Sequence, residues 1–380
     1  MKITAWEILT LPDGGDSMML LVVDTDEGVH GIGEVGIRSR QKAVAGGIEH
    51  LGSLLIGQDP SRIEHLWQLM ARRGFFPADR IMSSAIAAFD VALWDIKGKS
   101  LGVPVFELLG GRVRDWVPAY THVGDNSHDR DAYFARCASL AAEGWRYLRL
   151  AVPHQVDGIL DQRRALRESI ELFHSTREAV GDDVELILDV HTRLDPVEAL
   201  TLCREIESAR PYFVEDPLRS ENLESYRRLR DRTAVPLAAG EQFASKWEFR
   251  RLIEPELIDY ARVDVGVAGG LTEARKIAGM AESHAVKLAT HNPLGPVTAA
   301  SSLHLNAATS NIAIQEHQTD PDDLLKSLFI ERPRISAGRI EIPTSPGLGV
   351  DIDRAAARAC SARYDDRPAL ATEDGAFTNW

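Results

Sequence analysis

Residues 185–193 read ELILDVHTR. A short apolar run ends on Asp189, and His191 follows two positions later. In an extended strand those two side chains lie on one side, because successive residues alternate between faces. A buried strand that finishes by aiming an acid and a base at one place is the unit from which the rest of the chain is read.

Moving outward, the same grammar recurs. VPAYTH (117–122), YLRLAV (147–152), ELILDV (185–190), YFVED (212–216), VPLAAGE (235–241), DYARVDV (259–265), VKLATH (286–291) and NIAIQE (311–316) are short β-rich runs with helical patterns between most of them. Alternation of this kind predicts a parallel sheet, and eight strands predict a barrel. Six consecutive strands end on residues that do chemistry: Asp189, Glu215, Glu241, Asp264, His291 and Glu316. They stand at intervals of 26, 26, 23, 27 and 25 residues. One strand-plus-crossover unit has about this length, since a parallel connection takes roughly a dozen or more residues. All six are therefore expected at the C-terminal rim, where barrels of this type carry their active sites.

The flanks read differently. Residues 1–114 mix strands (ITAWEILTL, 3–11; MLLVVDTDEG, 19–28) with the helical segment SSAIAAFDVALWDIKGKSLG, 83–102. In that segment Ile86, Phe89, Leu93 and Ile96 form one apolar stripe, and Gly102 with Pro104 predicts its end. The barrel is assigned to 115–318. A Pro/Gly-rich tail, 319–380, is expected to return to the first domain. No sequence repeat or low-complexity tract interrupts these three parts.

The 380 residues are 44% hydrophobic and carry a formal charge of −14. That is enough chain for a large core and two domains. It is the wrong charge for nucleic acid or an anionic membrane. A small anionic substrate needs a local positive charge, which a metal ion would supply. The three cysteines, Cys137, Cys203 and Cys360, are far apart and odd in number. They predict no disulfide framework and suit a reducing compartment. The opening MKITAWEILTLPDGGD lacks the basic start and apolar run of a signal peptide, and no apolar stretch approaches the ~20 residues of a membrane span. The expectation is a soluble, cytoplasmic protein.

Each rim residue also has a plain structural use. An Asp after a strand can cap the next helix. Glu215 before Asp216–Pro217 can be turn chemistry. His291 can be a loop histidine, and Asp264 a buried hydrogen-bonding partner. The set is harder to explain in this way. Three carboxylates converging from adjacent strands repel one another unless a cation lies among them. Oxygen ligands with open positions suit a hard divalent ion, Mg2+ most readily.

ALWDIKGKSLGVPVFELLGG (92–111), Asp189, Glu215 in VEDP, Glu241 in GEQF and HNPLGP (291–296) together resemble the enolase superfamily, in its mandelate racemase subgroup. Within it the chain is similar to sugar-acid dehydratases of the D-galactonate and D-mannonate dehydratase kind, down to the ending EDGAFTNW. The resemblance implies a modified TIM barrel, (β/α)7β, with an α+β capping domain formed by the N-terminal region and the C-terminal tail.

It further implies that Asp189, Glu215 and Glu241 bind Mg2+, which grips the substrate carboxylate and stabilises the enolate left when the α-proton departs. Glu316 would contact that carboxylate as a donor or through water. His291 would be the base, oriented by Asp264, and His191 the acid that protonates the departing β-hydroxyl. The second strand carries Arg149 where racemases and cycloisomerases place a lysine; arginine is a poor base and a good clamp, so a one-sided elimination fits better than a two-base racemisation. Arg149 and DVHTRLDP resemble mannonate-type enzymes, whereas HNPLGP and Asp264 resemble the galactonate type. The tyrosine that accompanies the arginine in the former is missing from 151–211. His154 could stand in for it, and Trp380 could reach the site.

The implied activity is Mg2+-dependent dehydration of an aldonate (D-galactonate, D-mannonate or D-gluconate) to a 2-keto-3-deoxy acid. Same-fold alternatives are an acid-sugar epimerase or racemase and a diacid-sugar dehydratase. A metal-binding sensor with vestigial activity is an alternative of another class, and a metallohydrolase is disfavoured because VPAYTHVG offers no His-x-His. Relatives imply a homo-oligomer of even number and a small-molecule acid sugar as partner.

Overall fold

The computed structural model describes residues 1–13, 16–124, 129–152, 158–317, 323–360 and 369–379. Strands β1 (Ile3–Asp13), β2 (Asp16–Thr25) and β3 (His30–Glu34) form an antiparallel sheet in that order. Helices α1 (Gln41–Leu55), α2 (Ile63–Arg72) and α3 (Arg80–Leu101) follow, then the single turn α4 (Val105–Leu108). Asp79 caps α3 by accepting from the Met82 N–H at 3.0 Å, and Gly102 ends it in the left-handed region at φ +69°. The sequence predicts one apolar stripe here. Instead every residue from Ser83 to Ile96 is buried, because α3 is wedged between β3, α1 and α2 on one side and a barrel helix on the other.

The barrel consists of β4 (Trp116–His122), β5 (Tyr147–Ala151), β6 (Glu185–Asp189), β7 (Phe213–Glu215), β8 (Leu237–Ala239), β9 (Tyr260–Ala261), β10 (Lys287–Thr290) and β11 (Ile312–His317). Neighbours pair in parallel, and β11 closes the ring on β4. The first seven strands are each followed by a helix: α5 (Arg130–Ala142), α6 (Gln162–Val180), α7 (Pro196–Ile206), α8 (Glu224–Arg230), α9 (Lys246–Ile253), α10 (Leu271–Ser283) and α11 (Pro296–Ala308). This is the (β/α)7β barrel that the resemblance implies. Inside it, Tyr120, Ile187, Phe213, Ala238, Ala289 and Ile314 pack as one cluster, large side chains against alanines. The interior is therefore a solid floor beneath the rim.

Two buried acids of the first domain tie it to the barrel. Glu34, the last residue of β3, accepts from the N–H groups of Gly295 (2.6 Å) and Thr298 (2.9 Å) at the start of α11. Asp90 of α3 accepts from the Thr272 N–H at 2.9 Å, at the start of α10. Both satisfy donors that a helix leaves without intrahelical partners.

The tail carries α12 (Asp323–Leu328), β12 (Phe329–Glu331), β13 (Ile335–Ser336), β14 (Arg339–Glu341), β15 (Asp351–Ile352) and α13 (Arg354–Ala359). β14 pairs antiparallel with the lower half of β4, below its pairing with β11. α13 lies on β1, where Arg354 pairs with Glu7 and Asp24. The chain then runs back to the barrel rather than staying with the first domain. The Leu160 N–H donates to the Ala371 carbonyl at 2.8 Å, and the Asn379 amide donates to Asp195 at 3.1 Å.

Candidate active site

Asp189 and Glu215 are the last residues of β6 and β7 and pair side by side in register. Glu241 comes two residues after β8. Gly240 turns the chain there at φ +132°, and a Cβ at that position would meet the Phe249 ring at 2.3 Å. Only glycine accommodates both the dihedral and the contact. One carboxylate oxygen from each of the three acids lies within 4.8 Å of the other two.

Burial pushes Glu215 well above the usual carboxylate range and, with Asp216 and Asp189 nearby, lifts Glu241 to about 8. Burial acts on Asp189 in the same sense, but the Arg149 guanidinium and His191 outweigh it and hold that carboxyl well below its ordinary value. The buried Oε2 atoms of Glu215 and Glu241 have no hydrogen-bond partner. An all-oxygen triad with two orphaned oxygens and more negative charge than it tolerates fits a hard divalent cation.

The two histidines flank this triad at opposite ends. His291 places Nδ1 2.6 Å from Asp264 Oδ2 and Nε2 3.4 Å from Glu241 Oε2. Burial opposes charge on its ring, yet Glu241, Glu316 and Asp264 together lift it to about 10. His191 places Nε2 2.9 Å from Asp189 Oδ2 and 2.8 Å from an Arg149 nitrogen. Burial, reinforced by Arg149, draws it down to about 4 against the pull of Asp189.

The two residues do meet, although not by strand alternation. β6 stops at Asp189, and His191 (φ +51°) and Thr192 (φ +57°) both adopt the left-handed region. This turn lets the His191 N–H donate to Asp189 Oδ1 at 2.9 Å and folds the ring back onto the same carboxylate. Non-glycine residues in that region are strained and persist where the surroundings fix them.

Arg149 reaches the site from β5 and pairs with Asp189. Glu316 accepts from His122 at 2.7 Å on Oε1, and from Arg262 (2.6 Å) and the Asn292 N–H (3.0 Å) on Oε2. The charges of His291, Arg262 and His122 overcome burial and keep Glu316 well below the usual range. Both of its oxygens accept from protein donors within the site. His154 and Trp380 lie outside the described residues.

Two site residues escape the sequence reading. His122 ends β4 as a single histidine, which carries no His-x-His signal. Arg262 had a clearer signal: in YARVDV it alternates with Tyr260 and Asp264, so it points into the barrel, where an unpaired charge is costly.

Comparison with known proteins finds matches along the length of the chain. Residues 13–110 match the model of the mandelate racemase / muconate lactonizing enzyme N-terminal domain, and residues 132–356 match that of the enolase C-terminal domain-like family. The chain is 41% identical over 389 residues to a D-galactonate dehydratase of Ralstonia pickettii (strain 12J), and 40% identical over 391 residues to one of Klebsiella pneumoniae (strain 342). Each alignment covers 100% of both chains. Among solved structures, an enolase from Pantoea ananatis with bound D-gluconate and Mg superposes with a TM-score of 0.92 at 31% identity, over 100% of this chain and 99% of that one.

Proposed function

This chain belongs to the mandelate racemase / muconate lactonizing enzyme family of the enolase superfamily and is a sugar-acid dehydratase, a hydro-lyase; we propose that its substrate is D-galactonate, converted to the 2-keto-3-deoxy acid. The observation that carries the mechanism is the placement of His291 and His191 at opposite ends of one acid triad.

Mg2+, held by Asp189, Glu215 and Glu241, would supply the positive charge that the substrate carboxylate needs as its α-carbon is deprotonated. Every other step belongs to side chains. His291 donates Nδ1–H to Asp264, which fixes the tautomer and leaves the Nε2 lone pair free to take the C2 proton. Glu241 is the strongest attraction holding His291 protonated; once that carboxylate is neutralised, the ring becomes a free base nearer neutral pH. His191 passes a proton to the C3 hydroxyl, the C–O bond breaks, and water leaves. The enol that remains tautomerises to the 2-keto acid, with atoms and charge balanced.

β5 offers Arg149 and no lysine, so a base stands on one face of C2 only. One face means one C2 configuration. D-Galactonate and D-gluconate share that configuration and differ at C4, whereas D-mannonate is inverted at C2. The relatives that act on D-galactonate favour it first, and the bound D-gluconate of the Pantoea protein favours D-gluconate second.

The test is a panel of acid sugars incubated with the purified protein and Mg2+, with semicarbazide detection of 2-keto acids. D-Galactonate should turn over, D-gluconate more slowly or not at all, and D-mannonate not at all. Turnover of D-mannonate alone would overturn the substrate assignment, and no turnover of any sugar would favour the sensor alternative.

A further inference from the structure

Among the described residues Arg262 heads the large side chains that are completely buried, at 0% exposure. It rises from just beyond β9 into the barrel floor, directly below the rim. Its Nε donates to Glu215 Oε1 at 2.6 Å, Nη1 to the Ala289 carbonyl at 2.8 Å, and Nη2 to both Tyr120 Oη and Glu316 Oε2 at 2.6 Å. The guanidinium carbon also lies 5.4 Å from the centre of the Tyr120 ring. A fully buried guanidinium with this many partners is held in one geometry, and what it touches is held with it.

We propose that Arg262 is the positioning residue that sets how the acid triad presents itself to its cation. By engaging one oxygen of Glu215 it leaves the other, the orphaned Oε2, as that residue's only available ligand atom. Glu215 is thereby restricted to one-oxygen coordination, and ligand positions stay open for the substrate. Through its second arm Arg262 anchors Glu316, whose other oxygen is held by His122. Glu316 in this arrangement balances charge rather than donating to substrate. Arg262 lies 2.6 Å from both Glu215 and Glu316, so the two carboxylates together more than offset its single positive charge beside the triad. Arg262 therefore contributes direction more than field, and its loss should weaken cation binding rather than relieve repulsion. Lysine is a poor replacement, since a single ammonium cannot span Glu215, Glu316, Tyr120 and a carbonyl in the fixed fork that arginine provides.

This inference rests on the metal reading above, and the experiment separates the two. Mn2+ affinity is measured by electron paramagnetic resonance on wild type, Arg262→Met and Arg262→Lys, together with the rise in unfolding temperature that Mg2+ produces. Wild type should bind Mn2+; if it does not, the metal reading itself fails. Given binding, Arg262→Met should lose about tenfold or more in affinity, the range seen when groups that orient metal ligands are removed. Its Mg2+-induced thermal shift should shrink, and Arg262→Lys should weaken Mn2+ binding by more than twofold. A purely structural role would lower the unfolding temperature without metal and leave the Mn2+ affinity and the Mg2+ shift as in wild type. If Arg262→Met does not fold, Arg262→Lys decides. Affinity within twofold of wild type in the folded variants overturns the proposal and leaves the metal reading standing.

Discussion

At the scale of single residues, the site depends on a few positions that no neighbour can replace. Gly240 is one. Alanine there faces both a φ of +132° and a ring carbon at 2.3 Å. Gly240→Ala is expected to cost about 2–4 kcal/mol in urea denaturation. Because Glu241 is the next residue, it should also weaken Mn2+ binding. Wild-type stability would contradict the role given to this turn. The spacing of the rim acids made Asp189, Glu215 and Glu241 visible in the sequence, since one strand-plus-helix unit has a nearly fixed length. The left-handed turn at His191 and Thr192 was not visible. Histidine tolerates that region but threonine does not favour it, so strand alternation leads to the same pair while the contact itself comes from the turn. Alternation in YARVDV turns Arg262 inward, but its role is not legible in the sequence, because its acidic partners lie 47 and 54 residues away.

At the scale of elements, helix ends are where the two domains meet. Glu34 closes the start of α11, the helix that follows the loop carrying His291. Gln keeps one acceptor oxygen but sets an amide against the second N–H, so Glu34→Gln should cost about 1–3 kcal/mol. The pH dependence has a definite sign. Burial lifts the Glu34 pKa from 4.5 to about 7 in the folded protein, so folding favours its protonated form. That contribution is fully present below the unfolded value and is lost as pH rises through about 7. Glutamine does not titrate. The deficit of Glu34→Gln relative to wild type, read by urea denaturation, should therefore narrow between about pH 5 and pH 7.5. A deficit that widens with pH would contradict this account of Glu34. The apolar stripe of α3 was right about existence and length but could not foretell burial on all sides. That depends on β3 and α10 arriving from opposite directions.

At the scale of the whole molecule, eight strands could be counted from the sequence because each carries its own apolar run. The tail's return to the first domain is met by α13 on β1, but its contacts with the barrel are not legible, because short pairings with β4 and with the Gly158–Leu160 loop leave no periodic mark. If the acid triad holds a divalent ion, removal should be felt globally. Mg2+ at a hundred times its dissociation constant should add about 2.7 kcal/mol to stability relative to protein in EDTA. Thermal unfolding should show a rise with Mg2+ that K+ does not reproduce, and equal rises with both would argue against the site. Closure of the barrel also brings a histidine from the third strand and another from the seventh to the two ends of the triad, and the proposed chemistry rests on that division of labour. The most direct measurement is NMR of D-galactonate in D2O with Mg2+ and two variants. With His191→Ala, deuterium should enter at C2 while 2-keto acid formation falls by about 10²–10⁴-fold. With His291→Asn, both exchange and elimination should stop. Exchange that survives in His291→Asn, or elimination undiminished in His191→Ala, would contradict the assignment of base and acid.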